Sequence, residues 1–206
     1  MTAKDVIFTI GHSTHPQDRF IDLLRVNGIT ALCDVRSKPF SSRNSQFNRE
    51  ALEEALPLSG IQYRFLGKEL GARSDNPQCY VNGKIQYDLL ANTEQFRYGL
   101  KRVLVGIRQG FRIALMCAEK EPLECHRSIL VARHLDLMGI EVNHIHRSGQ
   151  LESHSAAMTR LVRMLFLMED DMFLTPEELV EKAYRRQGER IAYAMDEDTF
   201  IRRAAE

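Results

Sequence analysis

The chain has 206 residues, 28 Lys plus Arg balanced by 28 Asp plus Glu, and 44% hydrophobic residues, a length and composition that suit one substantial domain and exclude disordered and coiled-coil classes. No apolar run approaches the ~20 residues of a membrane span. The start, MTAKDVIFTIGHSTH, has no long apolar run ending at a small-residue cleavage site, so a cytoplasmic protein without an export signal or membrane partner is expected.

Short β-rich runs alternate with longer helical patterns. Residues 6–10 read as a strand ending at Gly11-His12-Ser13-Thr14, and residues 18–27 as a helix with Phe20, Leu23 and Leu24 on one face and Gly28 as its stop. Residues 31–35 form a second strand, closed by Arg36-Ser37-Lys38-Pro39. Asn48 is placed to cap a helix running through Leu56, and residues 61–66 make a third strand. Residues 67–92 are the least regular part. A helix over 93–108 then leads into an apolar strand at 111–117, of the kind buried on both faces. A helix over 122–138, stopped by Gly139, precedes a last strand at 141–146. A helix over 153–168 follows, with Met158, Leu161, Val162, Leu165 and Phe166 on its apolar side. Thr175-Pro176-Glu177-Glu178 carries the cap, first-turn proline and first-turn acids of one more helix.

This alternation predicts a Rossmann-like α/β fold, a mostly parallel sheet with helices on both faces. The expected division is an α/β domain over 1–168 and an acidic helical extension over 169–206, which holds 6 Lys/Arg against 11 Asp/Glu. The remainder is mildly basic. That balance argues against a nucleic-acid coat and leaves room for a local anion site.

In open α/β sheets, ligands bind beyond the carboxyl ends of the strands. The segments expected there are rich in His, Arg, Ser, Cys and acid. His12 and His126 are the candidates for moving a proton, because imidazole titrates near pH ~6.5. Glu119 can orient a substrate or act as base, and Cys117 becomes a nucleophile if positive neighbours lower its pKa. Ser13, Arg36, Ser37, Arg43 and Arg127 are the candidates for holding an anion, since a guanidinium can fork two hydrogen bonds onto phosphate or carboxylate. Arg127 has an alternative role, pairing with Glu119, Glu121 or Asp34 to fix its loop.

Neither a phosphate-loop motif nor a dinucleotide fingerprint is present, so ATP and NAD are not expected and no cofactor is assigned. Gly67-Lys68-Glu69-Leu70-Gly71 reads as a turn with two conformationally permissive glycines. Cys117, Cys125 and His126, with His12 as a further candidate, are ligand types suited to zinc. Adjacent residues on one helix, however, point ~100° apart, so Cys125 and His126 are not expected to reach one ion, and no metal is assigned.

Four segments together, Ile10-Gly11-His12-Ser13-Thr14, Asp34-Val35-Arg36-Ser37-x-Pro39, Gly67-x-x-Leu70-Gly71 and Cys117-Ala118-Glu119…Cys125-His126-Arg127, resemble the domain-of-unknown-function 488 (DUF488) family over roughly residues 5–150. The resemblance implies a compact α/β domain in a bacterial-type cytosolic protein and carries no settled activity. The residues themselves favour an enzyme that hydrolyses or transfers a group on a small phosphate- or carboxylate-bearing, nucleotide-like substrate. A non-catalytic module for an anion or nucleic acid is the alternative, and a thiol or zinc protein using Cys117 and Cys125 is a third reading.

Overall fold

The computed structural model describes residues 5–167 and 174–195. Strands β1 (Val6–Gly11), β2 (Ala31–Asp34) and β3 (Gln62–Phe65) are followed by two-residue strands β4 (Tyr80–Val81) and β5 (Lys84–Ile85). Then come β6 (Ile113–Cys117), β7 (Glu141–Ile145) and β8 (Leu151–Ser153). Six of them form one sheet in the order β3-β2-β6-β1-β7-β8, parallel except for β8, while β4 and β5 make a separate hairpin. The helices are α1 (Gln17–Val26), α2 (Arg49–Ala55), α3 (Gly67–Leu70), α4 (Tyr87–Ala91), α5 (Glu94–Arg108), α6 (Arg133–Leu137), α7 (His154–Met164) and α8 (Pro176–Ile191). No helix among the described residues is long and apolar enough to cross a membrane.

Side chains alternate across the sheet because strand residues have a period of two. Phe8, Ile10, Leu32, Met116 and Ile145 face one side, where Phe20, Leu23 and Leu24 of α1 and Leu52 of α2 cover them. Ile7, Cys33, Leu115, Cys117 and Val142 face the other, under Phe96, Leu100 and Val103 of α5 and Leu135 of α6. Every residue of β6 is buried, which requires a strand as uniformly apolar as Ile113–Cys117. The expected α/β architecture, mostly parallel with helices on both faces, is present. The strand order, with β6 between β2 and β1, differs from the 3-2-1-4-5-6 order of dinucleotide-binding sheets.

That order positions the site. The register sets Gly11 beside Cys117 and Asp34 beside Met116, so β1, β6 and β2 end level with one another. The chain leaves β1 toward the α1 face and leaves β6 toward the α6 face. Loops that diverge from neighbouring parallel strands open a crevice between them.

Several local expectations are corrected. The continuous helix over 122–138 is instead a tight turn, Pro122–Glu124, then an extended Cys125 (φ −139°, ψ 138°), then a π-type turn, Arg127–Ala132, running into α6. Asn48 stands at the N-terminus of α2 without capping it, because its Oδ1 accepts the Ser41 amide instead, at 2.7 Å. β7 is followed by one more strand, β8. The helix expected over 153–168 ends at Met164, and Phe166 sits exposed with a φ of 54°. Gly67 is required for close approach rather than for an unusual φ, since a Cβ there would lie 1.9 Å from the Arg36 carbonyl oxygen. Thr175 closes a full capping box with Glu178 at the start of α8. The expected boundary at 168/169 lies outside the described residues.

Candidate active site

Beyond the ends of β1, β2 and β6 lies a cavity of about 280 Å³. Its buried side is formed by Cys117, Cys125 and His126, and its solvent side carries Lys38, Arg73 and Glu119. Arg36 and Ser37 line it as well, and Ile191 and Tyr193 wall it from the C-terminal segment.

Cys117 is the last residue of β6. Cys125 and His126 return to it because the extended Cys125 separates two helical turns and swings its side chain back over the strand end. The His126 Nδ1 lies 3.7 Å from the Cys117 sulfur and 3.9 Å from the Cys125 sulfur, and the three ligand-type atoms all lie within 4.8 Å of one another. On the opposite side of the ring, Nε2 is 3.0 Å from the Val35 carbonyl oxygen. A carbonyl can only accept, so Nε2 carries the hydrogen and the Nδ1 lone pair faces the two sulfurs. The expectation that Cys125 and His126 diverge rested on one continuous helix, and the break at Cys125 removes its premise.

The two thiols share their protons unequally. Cys117 is held well above the ordinary thiol range, first by its hydrogen bond to Cys125 and then by burial. For Cys125, burial opposes ionisation, yet the Cys117 hydrogen bond and the Arg127 charge bring it well below that range. Glu119 is raised, chiefly by burial and then by the neighbouring Cys125.

A second network supports the cavity from behind. Asp34, fully buried at the end of β2, accepts from Arg36 Nε at 2.9 Å and Nη2 at 2.6 Å, from the Arg36 amide at 3.0 Å, and from the Tyr63 hydroxyl at 2.8 Å. Arg36 Nη2 also donates to the Phe47 carbonyl at 2.7 Å, and Nη1 reaches His12 Nε2 at 3.2 Å. The guanidinium can only donate, so His12 Nε2 accepts. Its Nδ1, 2.9 Å from the Ser13 carbonyl, therefore carries the hydrogen. His12 is thus a neutral ring with both nitrogens engaged, stacked on Phe47 at 4.5 Å. Its pKa is lowered to about 4, by burial first and then by Arg36.

The remaining candidates are placed as follows. Arg127 is 1% exposed and donates through Nη1 to the Glu119 backbone carbonyl at 2.8 Å, so it holds the cavity loop and does not line the cavity. Its sequence-level alternative of a carboxylate partner is replaced by this carbonyl. Ser13 takes a φ of 50° while its amide donates to the Ala118 carbonyl at 3.0 Å. The Ser37 hydroxyl accepts the Arg73 amide at 3.0 Å. Arg43 is exposed and is not among the lining residues. Gly11 lets these loops pack, since a Cβ there would lie 1.8 Å from the Glu119 carbonyl oxygen.

Sequence reasoning missed Arg73 and Tyr193. Arg73 stacks over the Tyr193 ring, 4.2 Å from its centroid. Residues 193–195 are held by hydrogen bonds from Ile85 to Tyr193 and from Met195 to Gly83, so the end of the described chain runs along β5. No local pattern links positions 73 and 193. Only the register of that pairing does.

No curated protein and no solved structure matches the chain. A sequence model of the family described as "Domain of unknown function DUF488" matches residues 16–134, more than half of the chain. The matched stretch contains Arg36, Cys117, Glu119, Cys125, His126 and Arg127 and leaves His12 just outside. The chain belongs to the DUF488 family.

Proposed function

We propose that the protein is an enzyme that hydrolyses or transfers a group on a small anionic substrate, of the phosphate- or carboxylate-bearing class, held in the cavity at the carboxyl edge of the sheet. The observation that carries this reading is the polarity of the cavity. Its buried side gathers Cys117, Cys125 and His126, three nucleophilic or ligating groups, while its open side presents Lys38 and Arg73. Lys38 and Arg73 receive the anion, and Glu119 at the rim takes or returns a proton. The cysteine–histidine cluster supplies the group that acts on the substrate. Arg36 and His12 are positioning residues, because their donors and acceptors are committed to one another and to Asp34, Phe47 and Ser13, and Arg127 is one because it is buried outside the cavity lining and its Nη1 holds the Glu119 carbonyl. A volume of about 280 Å³ suits a small molecule or the end of a larger one. Four buried, unpaired cysteines fit a reducing cytoplasmic setting.

A non-catalytic anion-binding module is the second reading. It is favoured by one observation, that His12 has no free nitrogen for chemistry.

A thermal-shift screen of wild type against a Lys38→Ala/Arg73→Ala variant tests the proposal. The panel is inorganic phosphate, nucleotides, short oligonucleotides and small carboxylates, with the stabilising anion then assayed for turnover. A ligand present at 100 times its Kd stabilises by ~2.7 kcal/mol, several degrees for this size. The expected result is a shift with a small anion that the double variant loses, followed by turnover that Cys125→Ser abolishes. A shift without turnover of any stabilising anion supports the binding module. The absence of any anion-dependent shift contradicts both readings.

A further inference from the structure

We propose that Cys117, Cys125 and His126 form a divalent-metal site of the zinc class, with its fourth coordination position open to the cavity. The inference deepens the proposed function by naming the group that would act there, and it rests on that reading only for its catalytic meaning.

Three features carry it. The first is spacing. In a tetrahedral site with Zn–S near 2.3 Å and Zn–N near 2.05 Å, sulfur and nitrogen ligands stand roughly 3.6 Å apart. The Nδ1 of His126 is 3.7 Å and 3.9 Å from the two sulfurs, so both sulfur–nitrogen separations need adjustments of only a few tenths of an ångström, and the two sulfurs lie within 4.8 Å of each other. The second is orientation. Metal-bound histidines usually donate their other ring N–H to a carbonyl or carboxylate, which fixes the tautomer. His126 donates Nε2–H to Val35 at 3.0 Å and aims its Nδ1 lone pair between the sulfurs. The third is access. All three residues line the cavity, and no other His, Cys, Asp or Glu among the described residues joins the cluster. Three protein ligands with one open position is the arrangement of catalytic zinc, whereas structural zinc is closed by four. Two thiolates also neutralise a divalent ion, so the loaded site is itself neutral beside the buried Arg127. Soft sulfur donors favour zinc over magnesium or calcium.

Elemental analysis of the full-length protein, purified under reductant and then equilibrated with zinc or cobalt, tests the site directly. The expected result is one equivalent of metal per chain and, with cobalt, a sulfur-to-cobalt charge-transfer band in the near ultraviolet. Cys117→Ser and Cys125→Ser should each weaken zinc binding by at least about tenfold and diminish that band. Cys79→Ala, which alters a buried thiol outside the cluster, should retain both, and circular dichroism establishes that each variant is folded. Substoichiometric metal with fully reduced thiols would overturn the inference. So would cobalt binding without a sulfur band, or binding unchanged in both serine variants. Phosphate-induced thermal shifts measured on metal-free and zinc-loaded protein separate the two proposals. Metal bound without an anion response sinks the proposed function and leaves the metal site, and an anion response without metal does the reverse.

Discussion

Asp34 shows how single residues build this site. Its two oxygens accept four hydrogen bonds while it is fully buried, and they orient an arginine that in turn fixes a histidine tautomer. Desolvating such a pair costs several kcal/mol per ion, so its geometry must recover that cost. Asp34→Asn leaves the Arg36 guanidinium buried without a counter-charge and should destabilise the protein by ~3–5 kcal/mol in urea unfolding. A loss below ~1 kcal/mol would mean that Arg36 finds another partner. The motif Asp34-Val35-Arg36 is legible in the sequence as a polar cluster in which Asp34 can pair with Arg36 or orient an imidazole, and the structure shows the pairing; its detailed geometry is not legible. Two residues i and i+2 on a strand share a face, and only the end of the strand lets the second fold back onto the first.

At the scale of elements, the break at Cys125 and the docking of α8 decide what the site can be. Strand and helix runs were legible wherever one periodicity persisted, as in β6 and α5. The segment 122–132 was not, because a first-turn proline and an apolar run are equally consistent with one helix. Nothing in the residue types marks the extended Cys125. On the same face of the sheet as Cys117, a buried chain of hydrogen bonds runs from Thr9 to His144 at 2.7 Å, to His154 at 2.9 Å, and on to Tyr184 of α8 at 2.7 Å. Each neutral ring donates once and accepts once along this line, and the terminal hydroxyls can turn to accept one added proton, so protonating both rings sets two N–H groups against each other. Burial lowers His154 to about 4 and holds His144 well below its usual range, His154 adding to the effect on His144. Asp136 and Glu152 partly offset the shift on His154, while Arg127, His146 and Arg160 add to that on His144. Both folded-state values lie below the unfolded value near ~6.5. Stability is therefore full above about pH 6.5 and falls as pH drops toward 4, by ~1.4 kcal/mol per pH unit for each proton taken up. Urea unfolding between pH 7.5 and 4.5 should show this fall, and His154→Gln should flatten it by about one proton. An unchanged slope in the variant would show that His154 does not carry it.

Across the whole molecule, the C-terminal segment is part of the site's wall as well as of the core. Gln187 of α8 is fully buried and donates to the Leu123 carbonyl at 2.6 Å, while Arg190 pairs with Glu124 on the same turn that leads into Cys125. From there Tyr193 reaches the cavity and stacks under Arg73. The acidic composition of residues 169–206 was plain in the sequence, and so was the cap of α8. Their meeting with the 118–127 loop was not, because it depends on contacts more than 60 positions apart. Tyr193→Ala should release Arg73 and open one wall, and the phosphate-induced thermal shift should shrink while the ligand-free Tm stays within a few degrees. A full-sized shift would remove Tyr193 from the binding role.

An anion should bind at one location, the cavity beyond β1, β6 and β2. Amide chemical-shift mapping of isotope-labelled protein during a phosphate titration tests it most directly. Saturable shifts are expected at 36–38, at 73 and along 117–127, with the strand ends opposite the cavity unperturbed. Shifts centred elsewhere, for example in the groove beside Arg64 and Arg102, or none at these amides at any concentration the protein tolerates, would contradict it.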